Sequence, residues 1–132
     1  MTTLLTRAAI LAANDLTTED VKVPEWGGAV RIKSMTGAER DVFEDTLFTG
    51  SGTARKQDLK NFRAKLVAAT LVDETGTCLF TMDEVQALSQ KSAAALTRCA
   101  EVAQRINGMS QAAVADAKND LSAAPNGAST SA

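Results

Sequence analysis

The sequence predicts an α+β fold that is mainly α: a small helical domain with one N-terminal β-hairpin and a disordered C-terminal tail. Three observations lead there. Apolar residues recur at helical spacing through most of the chain, strict alternation takes over only near residues 21–33, and residues 122–132, SAAPNGASTSA, hold almost nothing to bury. One domain is expected over residues 1–121, because 132 residues is an ordinary length for a single core. That core has to be assembled from Leu, Val, Ile and Ala, since hydrophobic residues are 45% of the chain but aromatic ones only 4%.

The elements follow in order. Leu4, Ala8, Leu11 and Ala12 mark a short helix with a modest apolar face, ended by Asn14-Asp15. Val21 and Val23 then alternate with Lys22, and Val30 and Ile32 with Arg31 and Lys33, on either side of Pro24-Glu25-Trp26-Gly27-Gly28. Pro24 offers no N–H to a ladder and the two glycines tolerate the positive φ of a tight reversal, so this segment reads as a hairpin. Trp26, at its turn, either covers the core or anchors a partner. Thr36-Gly37-Ala38-Glu39 carries the capping-box signature and predicts a helix through Val42, Phe43 and Leu47. Thr49-Gly50-Ser51-Gly52 is a flexible loop by composition. Leu59, Phe62, Leu66, Val67 and Thr70 place a helix over residues 55–72, ended by Asp73-Glu74-Thr75-Gly76. A second capping box, Thr81-Met82-Asp83-Glu84, opens a short helix with Val85 and Leu88 inward. Another runs from Ser92 through Leu96, Cys99 and Ile106 to a stop at Asn107-Gly108, and Ser110 caps a weaker one that ends near Leu121.

The chain carries little that could do chemistry. It has no histidine, the commonest general base and metal ligand, and no glycine-rich phosphate loop or nucleophile elbow. Cys78, in a turn, and Cys99, on an apolar helix stripe, read as buried or half-buried thiols in a reduced cytoplasmic setting. Asp73 to Glu84 spans twelve residues with an acid at each end, like a calcium loop, yet Thr75, Thr77 and Cys78 stand where acidic ligands and the turning glycine belong. No catalytic, cofactor-binding or metal residue is assigned, and no cofactor is expected. Fourteen basic and sixteen acidic residues, net −2, supply no cationic field for nucleic acid. The apolar run Ala8 to Ala13 is too short to span a membrane. What remains is a basic cluster, Arg55, Lys56, Lys60, Arg63 and Lys65. On one helix Lys56, Lys60 and Arg63 would project away from Leu59, Phe62 and Leu66. With Trp26, the residues Arg55, Lys56, Lys60 and Arg63 are the candidate partner-binding set, their ordinary alternative being a solvated face.

Two strings, VKVPEWGGAVRIKSMTGAERDVFE and FRAKLVAATLVDETGTCLFTMDEVQAL, resemble the tail assembly chaperones of long-tailed, siphovirus-like bacteriophages. The shared features are the Val-Pro-Glu-Trp-Gly-Gly hairpin, the Thr-Gly-Ala-Glu-Arg helix start, and an Arg-Ala-Lys-Leu-Val helix running into Leu-Val-Asp and a Leu-Phe-Thr turn. The resemblance covers residues 4–110. It implies a non-enzymatic protein of the host bacterial cytoplasm that binds the tape measure protein, keeps it soluble and competent for tail tube assembly, and is absent from the mature virion. The alternative is a structural phage component, a head-tail connector or minor tail protein, retained in the particle. A tape measure protein exposes apolar helical stripes until tube subunits enclose it, and a small helical domain can cover them by offering a groove. The Ala-rich stretch KSAAALTRCAEVAQRI permits such close approach. Apolar surface left without a client would also favour a homo-oligomer.

The resemblance further implies a longer product made by ribosomal frameshifting, through which the tail tube protein would be engaged. Ala117-Lys118-Asn119 is compatible with a slippery heptamer. Slippage there requires Lys118 to be encoded by AAA; an AAG codon, with no other slippery site nearby, removes this expectation.

Overall fold

The structure, a computed structural model of the chain, describes residues 3–109. The helix expected after Ser110, the tail over residues 122–132 and the Ala117-Lys118-Asn119 site lie outside the described residues. Chain order is α1 (Arg7–Ala12), β1 (Thr18–Val23), β2 (Gly28–Lys33), α2 (Gly37–Asp45), β3 (Phe48–Thr49), β4 (Lys56–Gln57), α3 (Phe62–Thr70), β5 (Leu71–Val72), α4 (Val85–Leu88) and α5 (Ala93–Ile106).

Alternation governs the first sheet. In β1, Val21 and Val23 are buried while Asp20 and Lys22 face solvent, and the strand pairs antiparallel with β2 from Thr18↔Lys33 to Val23↔Gly28. The reversal is a single 3-10 turn, Pro24–Trp26, closed by Gly27 at φ 80°, whereas Gly28 already belongs to β2. The hairpin thus spans 18–33, three residues longer at its start than its hydrophobic pattern announces. A third strand, β5, pairs antiparallel with the far side of β2 through Ile32↔Leu71 and Arg31↔Val72.

The expectation of a mainly α domain with one hairpin is corrected here: two small sheets, order β1-β2-β5 and β3-β4, stand among the helices. The reason lies in residues 55–72, read as one helix. Its first third cannot be helical, because Leu47 O accepts the Asp58 N–H at 2.6 Å, the Asp58 carboxylate accepts the Lys60 N–H at 2.9 Å, and Asn61 sits at φ 60°, ψ 26°. Lys56 and Gln57 instead pair with Thr49 and Phe48. The last two residues, Leu71 and Val72, leave the helix to complete the first sheet. Of the stretch read as a loop, Thr49 ends β3 and residues 50–52 begin the bend of the β3-β4 ribbon, where a Cβ on Gly50 (φ 80°) would lie 2.4 Å from the Ala54 carbonyl oxygen. Only glycine fits there.

Helix starts obey their caps. Thr36 Oγ1 accepts the Glu39 N–H at 3.1 Å while Glu39 returns a carboxylate oxygen to the Thr36 N–H at 2.9 Å, and Ser92 Oγ caps α5 through the Ala95 N–H. Glu84 likewise accepts the Thr81 N–H at 2.9 Å ahead of α4. The core gathers where α5 crosses β1 and β2 and leans on α3: Val23, Ile32, Phe43, Leu66, Val67 and Leu71 are all at most 2% exposed. Thr70, also sealed, donates its hydroxyl to Leu66 O at 2.7 Å and so leaves no orphan donor.

One side chain ties the end of α5 to the sheet. Asn107 accepts the Met35 N–H at 2.6 Å through Oδ1 and donates to Ala103 O at 2.9 Å and Lys33 O at 3.4 Å, and its own carbonyl accepts from Arg40 at 2.9 Å. Replacing Asn107 by Ala strands the N–H of the buried Met35 and removes the donors to Lys33 O and Ala103 O. The expected cost is about 2–3 kcal/mol of unfolding free energy by urea titration, well beyond the ~0.5 kcal/mol of an ordinary surface change.

At the opposite end, Arg98 of α5 grips Glu25 in the hairpin turn through two bonds of 2.7 and 2.9 Å. The guanidinium, helped by the residue's own backbone N–H, pulls the Glu25 carboxyl from its ordinary 4.5 to about 2. Because the folded value is the lower one, the pair contributes fully above pH 4.5 and its contribution is lost as pH falls toward 2. An NMR titration of Glu25 is expected to show a midpoint near 2 that returns toward 4.5 in Arg98→Ala; an unshifted midpoint in the wild type contradicts the grip.

Candidate partner-binding surfaces

The five residues singled out from sequence do not converge. Trp26 is half-buried at the hairpin turn and packs against the core. Arg55 is committed to the β3-β4 ribbon: it reaches Asp45 at 2.7 Å and stacks over Phe48, its guanidinium carbon 4.5 Å from the ring centre. Lys56 lies exposed in β4, Lys60 in the turn before α3, and Arg63 in the first turn of α3. The basic helical face expected of Lys56, Lys60 and Arg63 therefore does not exist as a face, since the helix begins only at Phe62.

Arg63 does line a groove. Between the start of α3 and the outer side of α5 runs a depression of about 560 Å³ whose floor is Ala64, Leu96, Ala100 and Gln104, with Arg63 and Lys91 on its rim. The floor residues are buried, the largest exposure among them being 8% for Gln104. Small residues at the floor follow from the spacing of α5, in which Ala93, Thr97, Ala100 and Gln104 fall on one face. A helix laid there would approach the backbone closely and meet the cations Arg63 and Lys91 and the anion Glu101.

A second groove, about 350 Å³, lies on the other side of α3, walled by α2 and the 78–82 segment: Val42, Phe43, Ala68, Ala69, Phe80 and Met82 make it largely apolar. The sequence pattern places Val42 and Phe43 together on one helix without separating their faces; only Phe43 is buried, and Val42 is 65% exposed. The signal was present in the neighbours, for Asp41, Glu44 and Asp45 leave α2 room for a single inward apolar side chain. Cys78, expected buried or half-buried, is an exposed thiol lining this groove, while Cys99 is sealed in the core, where burial pushes its thiol up.

The acidic loop after β5 folds on itself. Asp73 Oδ1 accepts the Thr75 hydroxyl (2.7 Å) and the N–H groups of Thr75 (2.8 Å) and Thr77 (3.1 Å), which together hold its carboxyl below the usual range. The carboxylate is engaged in closing a turn. Among the described residues no three Asp, Glu or Cys side chains gather as a metal site. No helix of the described residues is long and apolar enough to cross a membrane.

Among the described residues, the N-terminal segment is the largest exposed apolar element. Thr6 caps α1 by accepting the Ala9 N–H at 3.1 Å, yet α1 buries nothing, and Leu4, Leu5, Ile10 and Leu11 are 89%, 69%, 56% and 69% exposed. A domain built of short helices, two grooves flanking one helix and a bare apolar arm has the features of a binding protein. Neither the curated proteins nor the solved structures give a match to this chain. The family model described as phage tail assembly chaperone, however, matches residues 5–120, which takes in every described element, and the chain belongs to that family.

Proposed function

We propose that the protein binds the tape measure protein of its phage, keeps it soluble and competent for tail tube assembly, and departs before the virion is complete. The observation that carries this reading is the groove between α3 and α5, about 560 Å³, with Ala64, Leu96 and Ala100 beside Gln104 on its floor, and Arg63 and Lys91 as well as Glu101 in its lining. Such a site suits an amphipathic helical segment whose apolar stripe enters the groove and whose acidic flank meets the cations, burial giving affinity and charge giving register. Lys60 stands beside that rim in sequence, so Lys60 and Arg63 keep a partner role, whereas Arg55 and Lys56 serve it only at a distance and Trp26 by steadying the hairpin. The role is non-enzymatic and cofactor-free, in keeping with a chain that has no histidine. It is exercised in the host bacterial cytoplasm, and a longer frameshifted product carries the tail tube protein to the same client.

Co-expression tests this directly. The tape measure protein is expected to become soluble and to co-purify with the wild-type chain. In Lys60→Glu/Arg63→Glu, with circular dichroism unchanged, recovery falls about tenfold, equivalent to some 1.4 kcal/mol of binding. Equal recovery with the charge-reversed variant refutes the groove. Mass spectrometry of purified particles is expected to find no copies; stoichiometric retention would make the protein a structural tail or connector component instead.

A further inference from the structure

We propose that the N-terminal arm of one copy, residues 4–16, docks in the groove between α2 and α3 of a second copy. The arm is apolar without having anything to cover. Leu4, Leu5, Ile10 and Leu11 are each more than half exposed, and the capped α1 turn holds Ile10 and Leu11 next to Arg7 on one side, at the three- and four-residue spacings that bring helical side chains together. The groove is the matching surface, with Val42, Phe80 and Met82 at its opening.

Charge names the occupant. Along α2 three acids are already engaged: Glu39 with Lys33 at 2.5 Å, Glu44 with Arg40 at 3.1 Å and Asp45 with Arg55 at 2.7 Å. Asp41, adjacent to Val42, is exposed and has no ion-pair partner among the described residues; Arg7, beside Ile10 and Leu11, has none either. An unpaired cation stands beside the apolar ridge, and an unpaired anion stands next in sequence to Val42 of the apolar slot. The ridge is therefore complementary to the slot in both respects, and both belong to the same chain. A second copy is favoured over the arm's own body because residues 13–17 contain no turn and Thr17 is fastened to Ser34 by bonds of 2.9 and 2.8 Å, so the arm leaves its own domain without reversing. The α3-α5 groove takes no part, so this contact stands or falls independently of client binding.

The exposed Cys78 of the groove makes the test simple, since Cys99 is sealed away. In full-length Ile10→Cys, mild oxidation is expected to produce a disulfide-linked dimer on a non-reducing gel, lost when Cys78 is also changed to Ser. Light scattering is expected to show self-association weakened about tenfold by Asp41→Lys or by Arg7→Glu and recovered in the Arg7→Glu/Asp41→Lys double variant. The proposal is overturned by a monomeric mass at every concentration, by a disulfide formed within one chain, by dimers that persist without Cys78, or by charge variants that leave association unchanged.

Discussion

The arrangement of the domain depends on a single amide. Asn107 joins the last turn of α5, the exit of β2 and the entry to α2, three segments that sequence separates by up to 74 residues. Its partners are backbone groups at the ends of regular structure, Ala103 O also accepting the Asn107 N–H at 3.1 Å. Asparagine alone among the side chains of that size offers an acceptor to Met35 and donors to Lys33 and Ala103 at once. With the helix end fixed, Arg40 can reach the Asn107 carbonyl and α2 is set against the core through Phe43. The Glu25 and Arg98 pair and the Glu19 and Arg105 pair, at 2.7 and 2.5 Å, then line α5 up along the hairpin. These outer pairs are exposed and orient more than they stabilise.

This explains what could and could not be read from the sequence. The capping boxes at Thr36 and Thr81 and the serine cap at Ser92 were legible because donor and acceptor lie three residues apart and belong to one turn. The hairpin was legible because alternation and a Pro-x-x-Gly reversal coincide. Asn107 was legible only as a helix stop; its second role depends on Met35, 72 positions earlier, which no local pattern reports. The start of α3 was misplaced for a related reason: Leu59 sits at helical spacing from Phe62 and Leu66 but belongs to a turn whose shape is set by Asp58, Asn61 and a hydrogen bond to Leu47. Periodicity alone cannot separate the two cases.

The candidate binding surfaces show the same division. The motifs that mark the family are mostly structural, since Trp26, the Thr36 capping box and the 73–77 turn are spent on the hairpin, a helix start and a self-closed loop. The grooves are made by what the helices withhold: small side chains on α5 and a solitary inward Phe on α2. Absence of bulk is a weaker mark in sequence than presence of a motif, which is why Ala-rich helices reveal that they can be approached closely without revealing from which side.

The length of α5 sets a scale for the protein's work. Fourteen residues make a rod of about 21 Å. If the proposed function holds, a helical client lying alongside would be sheltered for no more than that distance by any one molecule, and a client many times longer would need a procession of them. Under that proposal, coverage of the client would be governed by how abundant the protein is in the cell.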